Sequence, residues 1–218
     1  VLILATLTAP SGLDYSRAML FLYDRQAHRL RGHLAMGPST REEAEERMAE
    51  FEAENRALAH IAATLEEEGS SVAGGGGGSG GGSSVRQPPL TQLRLSSYWI
   101  GQLQQFSPDT ALTRLIRQVE HVERTPAADL AAGTLPRLID FVDHDAASIV
   151  RTDAVAFTPT LREILAPEVV IVPLRTTNGP CGLVVADCRF AADERIREDK
   201  VEQLGWYLPQ TALALENA

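Results

Sequence analysis

Two apolar runs near the end of the chain dominate its hydrophobic pattern. Residues 169–172 (VVIV) and 183–186 (LVVA) are apolar and rich in β-branched side chains, without clean alternation. Such runs predict central strands covered on both faces. Between them, Thr177-Asn178-Gly179-Pro180 carries a turn signal, since Asn-Gly accepts positive φ. Beyond Phe190 the period lengthens. Ile196, Val201, Leu204 and Leu208 predict a helix from about Asp193. Asp193 is its expected cap, with Glu194, Glu198 and Asp199 near its positive end and a kink at Pro209.

The front of the chain divides in the same way. Residues 1–7 read as the tail of a helix, 18–23 (AMLFLY) as a strand, 24–28 as a turn and 29–36 as a second strand. In that second strand Leu30, Gly32, Leu34 and Met36 alternate with Arg29, Arg31, His33 and Ala35, which predicts one apolar and one polar face. Gly37-Pro38 ends it, and Ser39 or Thr40 can cap a helix over 41–67. There Ala44, Met48, Phe51, Leu58, Ile61 and Leu65 recur at helical spacing, which predicts an amphipathic helix packed on the sheet; a free coiled-coil arm is the alternative. In the second half, 109–117 reads as a helix, 118–123 as a strand and 126–141 as a helix broken at Gly133 and Pro136. A further strand follows over 148–153 and a helical turn or two over 159–165. This order suits an α+β fold, a central antiparallel sheet with helices on both faces.

Composition narrows the picture. A chain of 218 residues can bury one good core, and a single domain over 1–218 is the simplest organisation. Residues 68–106 read as an insertion in a loop. Within it 73–84 (AGGGGGSGGGSS) is a Gly/Ser-rich linker with a span of about 20 Å, and 90–106 predicts a short helix docking back on the domain. The net charge of −9 argues against non-specific binding to nucleic acid or an anionic membrane. No apolar run reaches the length of a membrane-spanning helix, and residues 1–9 lack the basic flank of a signal peptide. The chain starts at Val1 and stops inside a helical pattern, which suggests a piece of a longer protein.

Few residues suggest chemistry. Cys181 and Cys188 are the only cysteines, and seven positions along one strand set them about 23 Å apart on opposite faces, too far for a disulfide. Two reduced thiols in a cytoplasmic protein are expected, with a redox-sensing Cys188 beside Arg189 as the alternative. The five histidines show no metal-ligand spacing; His144, between Asp143 and Asp145, reads as a solvated loop residue. No nucleophile elbow, phosphate loop or dinucleotide fingerprint is present.

The string "VVPL…GxLVVAD-x-RF", matched at 171–190 by IVPLRTTNGPCGLVVADCRF, followed by a short acidic turn and a helix ending ALALENA, resembles the last third of a GAF sensory domain. Residues 4–24 and 29–44 resemble the opening helix end and first hairpin of that family, so the resemblance spans roughly 1–60 and 105–218. It implies a non-catalytic, cytoplasmic, small-molecule-sensing domain of a bacterial signal-transduction protein. Sensor kinases of two-component systems and cyclic-dinucleotide enzymes are the expected settings. A ligand-free dimerisation module and a redox enzyme of the free methionine sulfoxide reductase type are the alternatives. A covalent bilin would need a Cys beside a His, which is absent. Asn178, Phe190, Asp193 and Glu194 echo the cyclic-nucleotide motif, but Gly179 stands where that motif has Lys. What remains is a non-covalent pocket between the sheet and residues 148–165, with Arg151, Asp153, Phe157 and Arg162 as candidate ligand contacts. Asp187 and Arg189, in the family-like turn, are expected to be structural, with Asp187 accepting backbone or Arg hydrogen bonds. No cofactor or metal is assigned, and a homodimer through the two terminal helices is expected.

Overall fold

The computed structural model of the chain describes residues 2–8, 13–72, 109–119, 122–123, 135–191 and 193–204. The linker, the expected docking helix at 90–106 and residues 205–218 lie outside these.

The two apolar runs become β5 (Glu168–Thr176) and β6 (Gly179–Asp187), joined by a tight turn in which Gly179 takes a φ of +108°. With β1 (Arg17–Asp24), β2 (Arg29–Met36), the two-residue β3 (Val122–Glu123) and β4 (Ser148–Arg151) they form an antiparallel sheet of order β3-β2-β1-β6-β5-β4. Central placement explains the continuous apolar runs: both faces of β5 and β6 are buried.

One face is covered by α3 (Ala111–Arg117), a 3-10 helix (Leu138–Asp143) and α4 (Pro159–Ile164), which pack Leu112, Ile116, Phe141 and Leu161 on Met19, Phe21, Ile171 and Val185. The other is covered by α1 (Leu2–Thr8) and a helical stretch at 198–204, with Leu4, Leu7, Ile196 and Leu204 against Leu20, Val170, Val184 and Ala186. The fold is therefore α+β with helices on both faces of an antiparallel sheet. No helix among the described residues is long and apolar enough to cross a membrane.

Several expectations need correction. The strict alternation of β2 fails. Leu20 pairs with Leu34 and Phe21 with Gly32, so His33 is an extra residue. This bulge reverses the side-chain phase. Leu30 joins the core under α3, whereas Leu34 and Met36 join the core under α1. Of the strand expected over 118–123, Val122–Glu123 pairs with β2, whereas Gln118 and Val119 form the turn that closes α3, which takes the other part of the β2 edge. The buried Thr113 hydroxyl accepts from Ala35 N and donates to Ala35 O, both at 3.0 Å. A Cβ on Gly32 would lie 2.1 Å from Ile116 O, so only glycine admits this approach. Asp193 does not cap the final helix; its carboxylate accepts from Arg195 N at 3.1 Å, several residues ahead of the helical stretch.

The largest departure is α2 (Arg41–Val72). Its start is as expected: Thr40 Oγ1 accepts from Glu43 N, and Glu43 accepts from Ser39 N at 2.7 Å. Over the residues whose side chains are described, the helix does not pack on the sheet, however. None of its described side chains is buried, and Met48 is 57% exposed. Both sheet faces are already occupied by other helices, and its apolar stripe is flanked by glutamates that would lose hydration on docking.

Thr113→Val, nearly isosteric, strips Ala35 of both partners. Urea denaturation should show a loss of about 1–3 kcal/mol, while Met48→Ala on α2 should change stability by less than about 0.5 kcal/mol.

Candidate functional site

The end of the sheet where β1 begins and β6 finishes is a buried polar corner. Arg17 opens β1 and Asp187 closes β6, paired directly across the two strands and about 1% exposed or less. Arg17 Nε donates to Asp187 Oδ1 at 2.9 Å and Nη2 to Oδ2 at 2.5 Å, a bidentate pair. Asp187 also accepts from Arg189 N at 3.1 Å and Ala166 N at 3.2 Å. Asp187 thus takes the structural role expected of it.

The same corner holds the C-terminal end of α4. Arg17 Nη2 donates to Ile164 O at 2.7 Å. Arg189 Nη1 donates to Glu163 O at 2.5 Å, to Ile164 O, and to Leu165 O at 3.2 Å. These carbonyls are ones a helix end leaves unpaired, and the cations complement its negative pole. Phe190, at a φ of +74°, lies among the guanidinium groups of Arg17, Arg41 and Arg189, 5.3–5.8 Å from its ring centroid.

The other end of α4 borders a cavity of about 500 Å³, lined by Arg117, Gln118 and Val119 at the end of α3 and by Thr158 and Thr160 at the start of α4. Thr158 caps α4 by accepting from Leu161 N at 3.3 Å, and Pro159 opens the helix. Arg117 is fixed by a 3.0 Å bond from Nε to the carbonyl of His33, the bulged residue of β2. The cavity offers a guanidinium, an amide and two hydroxyls beside one apolar wall. That set can hydrogen-bond a small polar or anionic molecule; it contains no nucleophile–base pair.

The four residues expected to contact a ligand do not line this cavity. Arg151 and Asp153 pair with each other at 3.0 and 2.7 Å, with side chains 75% and 67% exposed. They sit at the outer edge of the sheet, where β4 turns into a short 3-10 helix. Their ion pair holds Asp153 below its usual carboxylate range. Phe157 is buried in the core under α4, and Arg162 is exposed on that helix. None of the four is among the residues that line the cavity, although Thr158 and Thr160 come from the same 148–165 segment. The cap signal Thr158-Pro159 was present in the sequence; nothing local marked Arg17 or Arg117.

On the opposite face both cysteines are thiols, and Cys181 Sγ donates to Leu174 O at 3.4 Å. They do not take opposite faces. Leu174 pairs with Gly182 and Arg175 with Pro180, so Cys181 is itself bulged and lies against the same α1-side cluster to which Cys188 belongs. Burial pushes the Cys188 thiol up, against the pull of Lys200, so this position disfavours a reactive thiolate. Nearby Tyr15 is buried and its hydroxyl has no hydrogen-bond partner among the described residues. Burial first, then Cys188 and Asp199, push its phenol well above the usual value. The described apolar side chains Leu4, Leu7, Ile196 and Leu204 lie inside one chain; the rest of the surface expected to pair in a dimer lies outside the described residues. His144, the loop histidine, stacks at 4.8 Å on Phe141.

Set against protein-family models, curated proteins and solved structures, the chain matches none of them.

Asp187→Asn leaves Arg17 buried without a counter-charge and should lower unfolding free energy by about 3–5 kcal/mol. Arg17→Met should do the same, and the Arg17→Met/Asp187→Leu double variant should lose less than the sum in a urea double-mutant cycle.

The raised phenol of Tyr15 predicts alkaline weakening. Unfolded chains shed this proton from about pH 10, the ordinary tyrosine value of 10.0, while the folded chain retains it. Stability is therefore complete below that pH and falls above it. Tyr15→Phe should flatten the decline above pH 10, leaving the part due to Cys188. At pH 7 it should be neutral or stabilising by about 1 kcal/mol, since the hydroxyl is unpaired.

Proposed function

We propose that this chain is a non-catalytic, small-molecule-sensing regulatory domain of the GAF type, from a bacterial signalling protein such as a sensor kinase or a cyclic-dinucleotide enzyme. One observation carries the reading. The cavity lies on one face of the sheet, the terminal helical segments lie on the other, and α4 with the Arg17–Asp187 corner connects them.

A ligand bonded by Thr158, Thr160 and Arg117 biases the position of α4. The far end of α4 is tied to Arg17 and Arg189, at the ends of β1 and β6. From there the bias reaches the segment around Cys188 and Ile196, which packs with α1 and the helix at 198–204. The output is a population shift between arrangements of those helices, no larger than the ligand's differential affinity for them. The redox-enzyme alternative, which would use Cys181 or Cys188, draws less support, because Cys188 is buried and Cys181 is partly so.

Thermal shift against a panel of nucleotides and small anionic metabolites should give at least one compound that raises the melting temperature in proportion to log concentration. Thr160→Trp should fill the cavity and abolish that shift while leaving the ligand-free melting temperature within a few degrees. A panel with no binder, or a shift untouched by Thr160→Trp, overturns the assignment of this cavity.

A further inference from the structure

The helix α2 is 32 residues long, about 48 Å, and carries no buried side chain among those described. Most helical stability in proteins comes from the packing of an amphipathic face. Its sequence contains a heptad seam. Ala44, Phe51, Leu58 and Leu65 fall at successive d positions, and Met48, Asn55 and Ala62 at the a positions between them. The narrow a/d stripe suits a helix that meets one other helix rather than a broad sheet face.

We infer that α2 is a self-association arm, through which two copies of this chain pair as a parallel two-stranded coiled coil over residues 44–65. Three features select a second copy. Asn55 is the one polar residue in the seam. A single a-position asparagine meets its equivalent only in a parallel, in-register pair. The flanking charges agree. In a parallel pair each g position faces the e position five residues on in the partner helix. This sets Arg47 against Glu52, Glu54 against Ala59 and Ile61 against Glu66, with no like-charge pair. Antiparallel pairing would instead set e against e, and three of those four residues are glutamate: Glu45, Glu52 and Glu66. Finally, α2 holds ten glutamates against three arginines. The remaining glutamates fall at b, c, f and the outer g position, off the seam. Where its side chains are described, the seam begins with Ala44 and Phe51, both partly covered, and Met48, 57% exposed.

Sedimentation equilibrium of the full chain tests this, independently of any ligand. The expected result is a concentration-dependent dimer. Leu58→Glu keeps good helix propensity. It should raise the dimer dissociation constant at least tenfold without moving the melting temperature of the sheet domain. Arg47→Glu should weaken the dimer severalfold, and adding Glu52→Arg should restore it. In a Cys181→Ser/Cys188→Ala background, Ala44→Cys should cross-link to itself under mild oxidation, as a parallel seam requires. A chain monomeric at high micromolar concentration overturns the inference, including one that instead captures a Lys-rich amphipathic peptide. So does a dimer unaffected by Leu58→Glu, or one that Ala44→Cys fails to cross-link.

Discussion

The buried pair of Arg17 and Asp187 is the constraint on which the rest of this structure depends. Two charges removed from water lose several kcal/mol of hydration each, and their attraction compensates only when every remaining donor and acceptor is used. Here the carboxylate accepts from Arg17 Nε and Nη2 and from two backbone amides, while Arg17 reaches on to Ile164 O. An apolar pair of similar volume would pack as well without specifying direction. The bidentate fork fixes the ends of β1 and β6 in register and aims a donor at α4.

The position of α4 follows from that corner, and the cavity follows from α4. A six-residue helix is too short to hold itself in water. Its N-terminal end is satisfied by Thr158 and its C-terminal end by Arg17 and Arg189. The opposite wall is set by a different device. The bulge at His33 frees a carbonyl for Arg117, and the missing side chain at Gly32 lets α3 approach β2. With Thr113 taking both backbone groups of Ala35, α3 replaces the strand that would otherwise have extended β3. The cavity is thus the gap between a helix docked on a bulge and a helix anchored to an ion pair.

A sheet covered by α3 and α4 on one side and by α1 and the 198–204 stretch on the other has no face left for α2. The longest helix among the described residues therefore sends none of its described side chains into either core. On the reading proposed above, sensing would sit at the cavity between α3 and α4 and association on α2, in separate parts of the chain.

Local patterns were enough for much of the fold. The runs at 169–172 and 183–186, the Asn178-Gly179 turn, the breaks at Gly37-Pro38 and the Ser39-Thr40 cap all act within a few residues of themselves. Their elements stand where the sequence alone places them, because strand pairing in a hairpin and helix capping are short-range. The tertiary structure decided everything that joins distant residues. Arg17 meets Asp187 across 170 positions, Ala35 meets Thr113 across 78 and His33 meets Arg117 across 84. No periodicity distinguishes an arginine that will be buried from one that stays in water. Nor does alternation reveal a bulge, which reverses the phase of a strand without altering its composition. For the same reason Arg151 and Asp153 read as site residues yet pair at the surface, while the cavity went to Arg117, Thr158 and Thr160. Which side chains converge is set by the packing of α3 and α4 on the sheet, and that packing is a property of the whole chain.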